Sequence, residues 1–114
     1  MAEEKQFENK IKKLLKDSGA YTIKYWGGGE FTKAGVPDLL VCLNGRFMGI
    51  EIKATRGKPS ELQLHNLRQI QKAGGIGLLL YPTDFPAFQV LVSEIVNTTD
   101  AVDASRHPTI MKDW

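Results

Sequence analysis

The segment GVPDLLVCLNGRFMGIEIK, residues 35–53, predicts a β-hairpin and with it the fold of the chain. Two runs rich in Val, Ile, Leu and Phe, residues 38–43 and 46–53, flank the pair Asn44-Gly45. Asn-Gly between apolar runs is the strongest short-range signal for a two-residue hairpin turn. Both faces of the two runs are apolar, so we expect helices to cover each side of the sheet.

The predicted turn also fixes which side chains face each other across the hairpin. If Asn44-Gly45 is the turn, Leu43 pairs with Arg46, and counting outward places Asp38 opposite Glu51. Their Cβ atoms would lie roughly 4.5–5.5 Å apart, and like charges at that separation destabilise a strand pair. A bound cation or a shared proton would relieve the repulsion. Lys53 projects from the same face, because side chains alternate along a strand.

The rest of the chain reads as alternating helices and strands of a single α/β domain. Apolar residues at helical spacing, with turn residues after them, mark helices, and short apolar runs mark strands. For residues 85–97, Val90, Leu91 and Val92 favour a strand, but helical spacing behind Asp84, a candidate N-cap, favours a helix, which we expect. The expected order is αβββαβα over residues 1–114, with a core at about 4–97 and a tail at 98–114. The predicted elements outside the hairpin are a helix at 3–17, a strand at 21–26, a helix beginning at Pro59-Ser60 and ending at Gly74-Gly75, a strand at 76–81 and a helix at 85–97.

Composition narrows the class of protein. The 114 residues are 42% hydrophobic and 25% charged, without a run of 18 apolar residues, which predicts a cytosolic globular protein and no membrane partner. The single cysteine, Cys42, excludes an intrachain disulfide and a cysteine-based zinc cluster. Net charge is only +2, but residues 18–77 carry eight Lys or Arg against four acids, whereas 78–114 carry two against five. The middle of the chain is therefore the expected site of contact with a polyanion.

Asp38, Glu51 and Lys53 form the candidate catalytic set. Carboxylate oxygens suit Mg²⁺ or Mn²⁺, which bind the oxygens of a substrate phosphate and activate water. Lys53 would either orient or deprotonate the attacking water, or add positive charge beside the phosphate. The competing interpretation is that Glu51 and Lys53 belong to a solvated strand face and that Asp38 is a turn residue. The apolar hairpin around them favours the catalytic interpretation.

The arrangement Gly35-Val36-Pro37-Asp38, Glu51-Ile52-Lys53 and Gln63 resembles the motif set of the PD-(D/E)XK nuclease superfamily. Within it, the chain is most similar to the small VRR-NUC nucleases of phages and bacteria. The resemblance covers about residues 4–97 and implies a restriction-endonuclease-like fold with a mixed sheet flanked by helices. It also implies Mg²⁺- or Mn²⁺-dependent hydrolysis of DNA by a homodimer that resembles Holliday-junction resolvases and acts on branched DNA. The expected setting is the cytoplasm of a bacterial or phage-infected cell.

The same resemblance points to a helical glutamate and to a glutamine. Glu8 is the expected glutamate, with Glu4 one turn earlier as the fallback; the competing interpretation of Glu8 is an ion pair with Lys12. Gln63 lies on the sheet-facing side of its helix, but Ser60-x-x-Gln63 is also a capping box. The expected metal-binding positions are Asp38, Glu51, Ile52 and Glu8.

Contacts with DNA are expected from basic residues at the same end of the hairpin as the two acids. These are Lys33, Arg56 and Lys58, and Gly27–Gly29 is a candidate for close approach of a phosphate. Two alternatives stay open: a DNA-binding module of the same fold without turnover, or a nuclease of the same chemistry acting on flaps, ends or RNA. The acidic tail is a candidate dimer interface.

Overall fold

The computed structural model describes residues 2–27 and 33–114, which form a four-stranded mixed sheet with helices packed against it. The α/β class and the order αβββαβα are confirmed. Two short 3-10 turns are also present, at Pro82–Asp84 before the last helix and at Ala104–Arg106 after it. The helices are α1 (Ala2–Asp17), α2 (Glu61–Lys72) and α3 (Phe85–Asn97), and the strands are β1 (Tyr21–Lys24), β2 (Leu39–Leu43), β3 (Arg46–Ile52) and β4 (Ile76–Leu80).

The hairpin β2–β3 has the predicted turn. Asn44 and Gly45 both adopt positive φ, 48° and 80°, as the two central residues of a type I′ turn require. Leu43 pairs with Arg46, and the register continues without a slip to Leu39 opposite Ile50. Strand order is β1-β2-β3-β4, with the first two pairings antiparallel and β3–β4 parallel.

One face of the sheet carries the hydrophobic core. Inward-facing side chains of β2, β3 and β4 pack with apolar residues of α1 and α3, including Ile11, Leu15 and Phe88. Burial of these side chains is the main stabilisation of the domain, because the free energy gained scales with the apolar area removed from water. The core holds α1 so that Glu3 reaches Thr55, just after β3, and Glu8 reaches Lys24, the last residue of β1.

The opposite face is covered only in part. Helix α2 packs over β3 and β4, where Gly77 allows a close approach: a Cβ there would lie 2.7 Å from the main-chain oxygen of Leu67. Within residues 2–27 and 33–114 no helix covers this face over β1 and β2, so the expectation of helices across each whole side of the sheet is corrected. Four side chains remain well exposed there, those of Tyr21, Ile23, Cys42 and Phe47.

Beyond β4 the structure corrects the expected role of Asp84 and shows where the tail lies. The side chain of Asp84 makes no capping hydrogen bond to α3; its Oδ2 accepts from the Tyr81 amide at 2.9 Å and closes the 3-10 turn before the helix. The tail packs on its own chain: Ile110 is fully buried, and the Trp114 indole donates to the Gly77 carbonyl at 2.8 Å. A contact such as that between Trp114 and Gly77 joins residues far apart in the sequence, so the local sequence of the tail does not predict it.

Candidate active site

Asp38 and Glu51 meet at one end of the sheet, as the hairpin register requires. Asp38 lies one residue before β2, and its main-chain oxygen accepts from the Tyr25 amide at 2.8 Å. Its Oδ2 accepts from the Ile52 amide at 2.8 Å, which draws the carboxylate across the hairpin to the neighbour of Glu51. The predicted placement of the two acids side by side is thus present in the structure.

Glu51 is an acid held out of water, with only 2% of the residue exposed. Its Oε2 accepts from Gln63 Nε2 at 3.0 Å and lies 3.3 Å from Lys53 Nζ. Its Oε1 is buried without a hydrogen-bond partner. Burial and the nearby charge of Asp38 raise the pKa of Glu51 to about 7, although the ammonium of Lys53 acts in the opposite direction.

A divalent cation fits this donor set. A buried carboxylate oxygen without a donor is costly unless a proton shared with Asp38 or a cation compensates it, and hard oxygen donors suit Mg²⁺ or Mn²⁺. Within residues 2–27 and 33–114, no three His, Cys, Asp or Glu side chains converge in an arrangement for binding a metal. An ion here would therefore depend on two carboxylates, a main-chain carbonyl such as that of Ile52, and water.

Gln63 both caps α2 and contacts Glu51. The main-chain N–H of Gln63 donates to Ser60 Oγ at 3.1 Å, and the side-chain Oε1 of Gln63 accepts from the main-chain N–H of Ser60 at 2.9 Å, so the capping box is present. Its Nε2 remains to donate to Glu51. The helix cap therefore fixes the side chain that in turn orients one Glu51 oxygen.

Glu8 lies apart from the Asp38–Glu51 pair and is surrounded by lysines. The Glu8 residue is 4% exposed, with Oε1 2.6 Å from Lys24 Nζ and Oε2 3.3 Å from Lys12 Nζ. Burial opposes ionisation of Glu8, but hydrogen bonds and charge from Lys24 and Lys12 outweigh it and lower its pKa. The competing interpretation, a pair between Glu8 and Lys12, is therefore present in the structure. Glu8 does not converge with Asp38 and Glu51 into a group of three acids.

Lys24 is the site residue that sequence reasoning missed. It is the last residue of β1, opposite Leu39, and its Nζ also lies 3.9 Å from Asp38 Oδ1. The ammonium thus stands between Glu8 and Asp38. Alternation along β1 could have placed Lys24 on the side of the sheet covered by α1, but only the pairing of β1 with β2 brings it beside Asp38.

The basic residues expected to contact DNA are exposed. Arg56 and Lys58 lie in the loop after β3, which the structure anchors at two points. Glu3 accepts from the amide and hydroxyl of Thr55 at 2.9 and 2.6 Å, and the Tyr81 hydroxyl donates to the Gly57 carbonyl at 2.9 Å.

Lys33, the third of these basic residues, is exposed on the other connection near the site, with its carbonyl accepting from the Tyr25 hydroxyl at 3.1 Å. The glycine run expected to approach a phosphate lies mostly outside the described residues, since Gly28 and Gly29 fall within 28–32.

No helix in the described ranges has the length and apolar character needed to span a bilayer.

Comparison with known proteins agrees with this geometry. No curated protein matches the chain. The model of one family, described as archaeal Holliday junction resolvase (Hjc), matches residues 2–103 and so spans α1, the whole sheet and α3. This supports the nuclease superfamily expected from the motifs; the match is to Hjc, not to VRR-NUC, and it gives no support to a phage or bacterial origin. The chain belongs to the Hjc family of Holliday junction resolvases, nucleases of the PD-(D/E)XK type.

Proposed function

We propose that this protein is a Mg²⁺- or Mn²⁺-dependent endonuclease that hydrolyses phosphodiester bonds of four-way DNA junctions as a homodimer. The observation that carries the proposal is the pair of adjacent carboxylates with a buried Glu51 oxygen that has no partner. Such an oxygen is well suited to a divalent ion. Membership of the Hjc family supports the junction as substrate.

The proposed metal ligands are Asp38, Glu51 and the main-chain carbonyl of Ile52. When bound, the ion supplies Lewis acidity at the scissile phosphate and makes a nearby water more acidic. Gln63 holds one Glu51 oxygen by its hydrogen bond and leaves the other available. In the reaction, water attacks phosphorus, one ester P–O bond breaks, and the departing oxygen takes up a proton.

Lys53 supports this reaction as a cation. Its Nζ lies 3.3 Å from Glu51 Oε2, and only 16% of the side chain is exposed, so the ammonium is held in place beside the two carboxylates. We therefore propose that Lys53 stabilises the negative charge that develops on the phosphate, rather than acting as the base. Arg56, Lys58 and Lys33 are the proposed contacts to the DNA backbone beyond the scissile position.

The test is cleavage of labelled four-way, flap, nicked and linear DNA and of RNA duplexes in Mg²⁺ or Mn²⁺, with Asp38→Asn as the control variant. We expect the four-way junction to be cut at least tenfold faster than the other substrates, and no cleavage in EDTA. Asparagine can still accept from the Ile52 amide, so the control removes charge with little disturbance of the hairpin. Tight junction binding without cleavage by the unaltered protein would leave only a DNA-binding module, and faster cutting of flaps, ends or RNA would reassign the substrate.

The surface proposed for dimerisation is the open sheet face, defined by Tyr21, Ile23, Leu40, Cys42 and Phe47. Cross-strand pairing aligns Tyr21 with Cys42 and Cys42 with Phe47 in one row, and none of the five side chains is charged. Tyr21 is 69% exposed and Phe47 46% exposed, an unusual amount of apolar surface to leave in water. A second copy is the proposed occupant because a junction must be cut on two symmetry-related strands, which two sites related by a two-fold axis would match. The tail is not used, since its buried residues contact their own chain.

We expect Phe47→Glu to convert the protein from dimer to monomer at micromolar concentration, because a charge at the centre of a two-fold interface would meet its own copy. Light scattering after gel filtration measures the mass. The matched control is Val90→Glu on α3, where the native residue is 61% exposed and the variant should remain a dimer. A monomeric unaltered protein, or a dimeric Phe47→Glu variant, would contradict the proposed surface.

A further inference from the structure

We propose that Lys24 acts as a built-in cation between Glu8 and Asp38, so that the site takes one divalent ion, on the Asp38–Glu51 side only. This inference rests on the proposed function and specifies how many ions the nuclease uses. It also assigns a role to a residue that belongs to none of the recognised motifs.

The first support is that, of the lysines paired with Glu8, one alone is shared with Asp38. Lys24 Nζ lies 2.6 Å from Glu8 Oε1 and 3.9 Å from Asp38 Oδ1, with 22% of its side chain exposed. Lys12 and Lys5 approach Glu8 at 3.3 and 3.8 Å from the other side and make no ion pair with Asp38. A divalent ion held jointly by Glu8 and Asp38 would have to occupy the neighbourhood of the Lys24 ammonium.

The second support is the contrast between the two buried glutamates. Glu8 already has several ammonium groups within 4 Å, so little attraction is left for a further cation. Among the described residues, Glu51 has one ammonium within 4 Å, that of Lys53 at Oε2, and its buried Oε1 has neither a hydrogen bond nor an ion pair. Glu8 Oε2 also lacks a hydrogen bond, but it lies 3.3 Å from Lys12 Nζ. A divalent cation is attracted most strongly to the carboxylate that has the fewest positive charges around it, so the ion belongs at Glu51. Lys24 then supplies positive charge on the side of Asp38 that faces Glu8.

The role has a signature that a purely structural lysine would not give: loss of Lys24 should tighten metal binding while slowing cleavage. Removing a cation 3.9 Å from a metal-binding oxygen removes repulsion toward the ion and frees Glu8 as a ligand. At the same time the phosphate loses a fixed positive charge nearby. Disruption of the fold would instead weaken both metal binding and cleavage.

The experiment is calorimetric titration of the full chain with Mn²⁺ in the absence of DNA, supported by native mass spectrometry to count bound ions. We expect one Mn²⁺ per chain for the unaltered protein. For Lys24→Met we expect a second ion or an affinity roughly tenfold higher. Lys12→Met is the matched control, because that lysine pairs with Glu8 but not with Asp38, and its first-ion affinity should stay within about threefold of the unaltered protein.

A double variant guards against misfolding. Lys24→Met leaves Glu8 with fewer partners, so Glu8→Gln/Lys24→Met removes both charges, and circular dichroism reports whether each variant is folded. The folded double variant should bind one ion, more tightly than the unaltered protein, because the repulsion is gone but Glu8 can no longer act as a ligand. Two ions bound to the unaltered protein, or unchanged stoichiometry and affinity in both Lys24 variants, would overturn the inference. Loss of Mn²⁺ binding in Asp38→Asn checks the proposed function separately: binding that survives this change would refute the metal site itself.

Discussion

Lys53→Ala should slow junction cleavage by roughly 10²–10³-fold, the usual cost of removing one preorganised positive or hydrogen-bonding group from a transition state. The expected loss is large because Lys53 is the ammonium paired with Glu51, 3.3 Å from its Oε2. Binding of the junction should weaken only a few-fold, since exposed basic residues elsewhere supply most backbone contacts. Single-turnover cleavage of a labelled junction gives the rate, and fluorescence anisotropy in EDTA gives the affinity.

Two further variants separate charge from position at Lys53. Lys53→Arg keeps the charge and should recover part of the lost rate if the residue stabilises the phosphate, whereas an essential base would not be replaced by a guanidinium that stays protonated. Lys58→Ala is the matched control, because Lys58 is exposed in the adjacent loop and its loss should affect affinity rather than the rate of the cleavage step. A Lys53→Ala protein that cuts within tenfold of the unaltered rate would remove Lys53 from the catalytic set.

Glu51→Gln should make the metal-free protein more stable while abolishing cleavage. Burial and Asp38 raise the pKa of Glu51 from its usual 4.5 to about 7. Between these pH values the folded protein keeps a proton that the unfolded chain has released, so stability falls as pH rises through this interval. Above pH 7 ionisation of the buried Glu51 carboxyl lowers the free energy of unfolding by at most about 3 kcal/mol. The neutral amide of Glu51→Gln avoids this loss.

Urea unfolding in EDTA at pH 5 and pH 8 measures this effect. The unaltered protein should lose stability between the two values, and Glu51→Gln should lose much less. Glu61→Gln on the surface of α2 serves as the control and should follow the unaltered protein. Adding Mn²⁺ at pH 8 should restore stability to the unaltered protein but not to Glu51→Gln, because a ligand stabilises only the state that binds it. Stability that rises from pH 5 to pH 8 in EDTA would contradict the assigned environment of Glu51.

Much of the candidate site was accessible from local sequence. Asn44-Gly45 dictates a turn whose geometry leaves one register for the hairpin, and that register alone places Asp38 beside Glu51 and projects Lys53 from the same face. Ser60 and Gln63, three residues apart, likewise specify a helix start that needs no tertiary contact. These features follow from short-range rules, in which nearby residues determine backbone dihedral angles.

The neighbours of Glu8 were harder to predict because they depend on how α1 packs against β1. Helical spacing showed that Glu8 and Lys12 share a side of α1, but the contact with Lys24 joins residues 16 positions apart in different elements. Nothing in the local sequence distinguishes Lys24 from any other lysine at a strand end. Its place between Glu8 and Asp38 results from the packing of α1 on the core together with the β1–β2 pairing.

The sequence by itself determined the hairpin, its register and the acids that face each other, because turn chemistry and side-chain alternation act within a few residues. Only the tertiary structure decided that Lys24 stands beside Asp38, that α2 leaves the face of β1 and β2 open, and that the tail closes on its own chain. Those outcomes depend on burial of the core, a collective free energy to which distant residues contribute together.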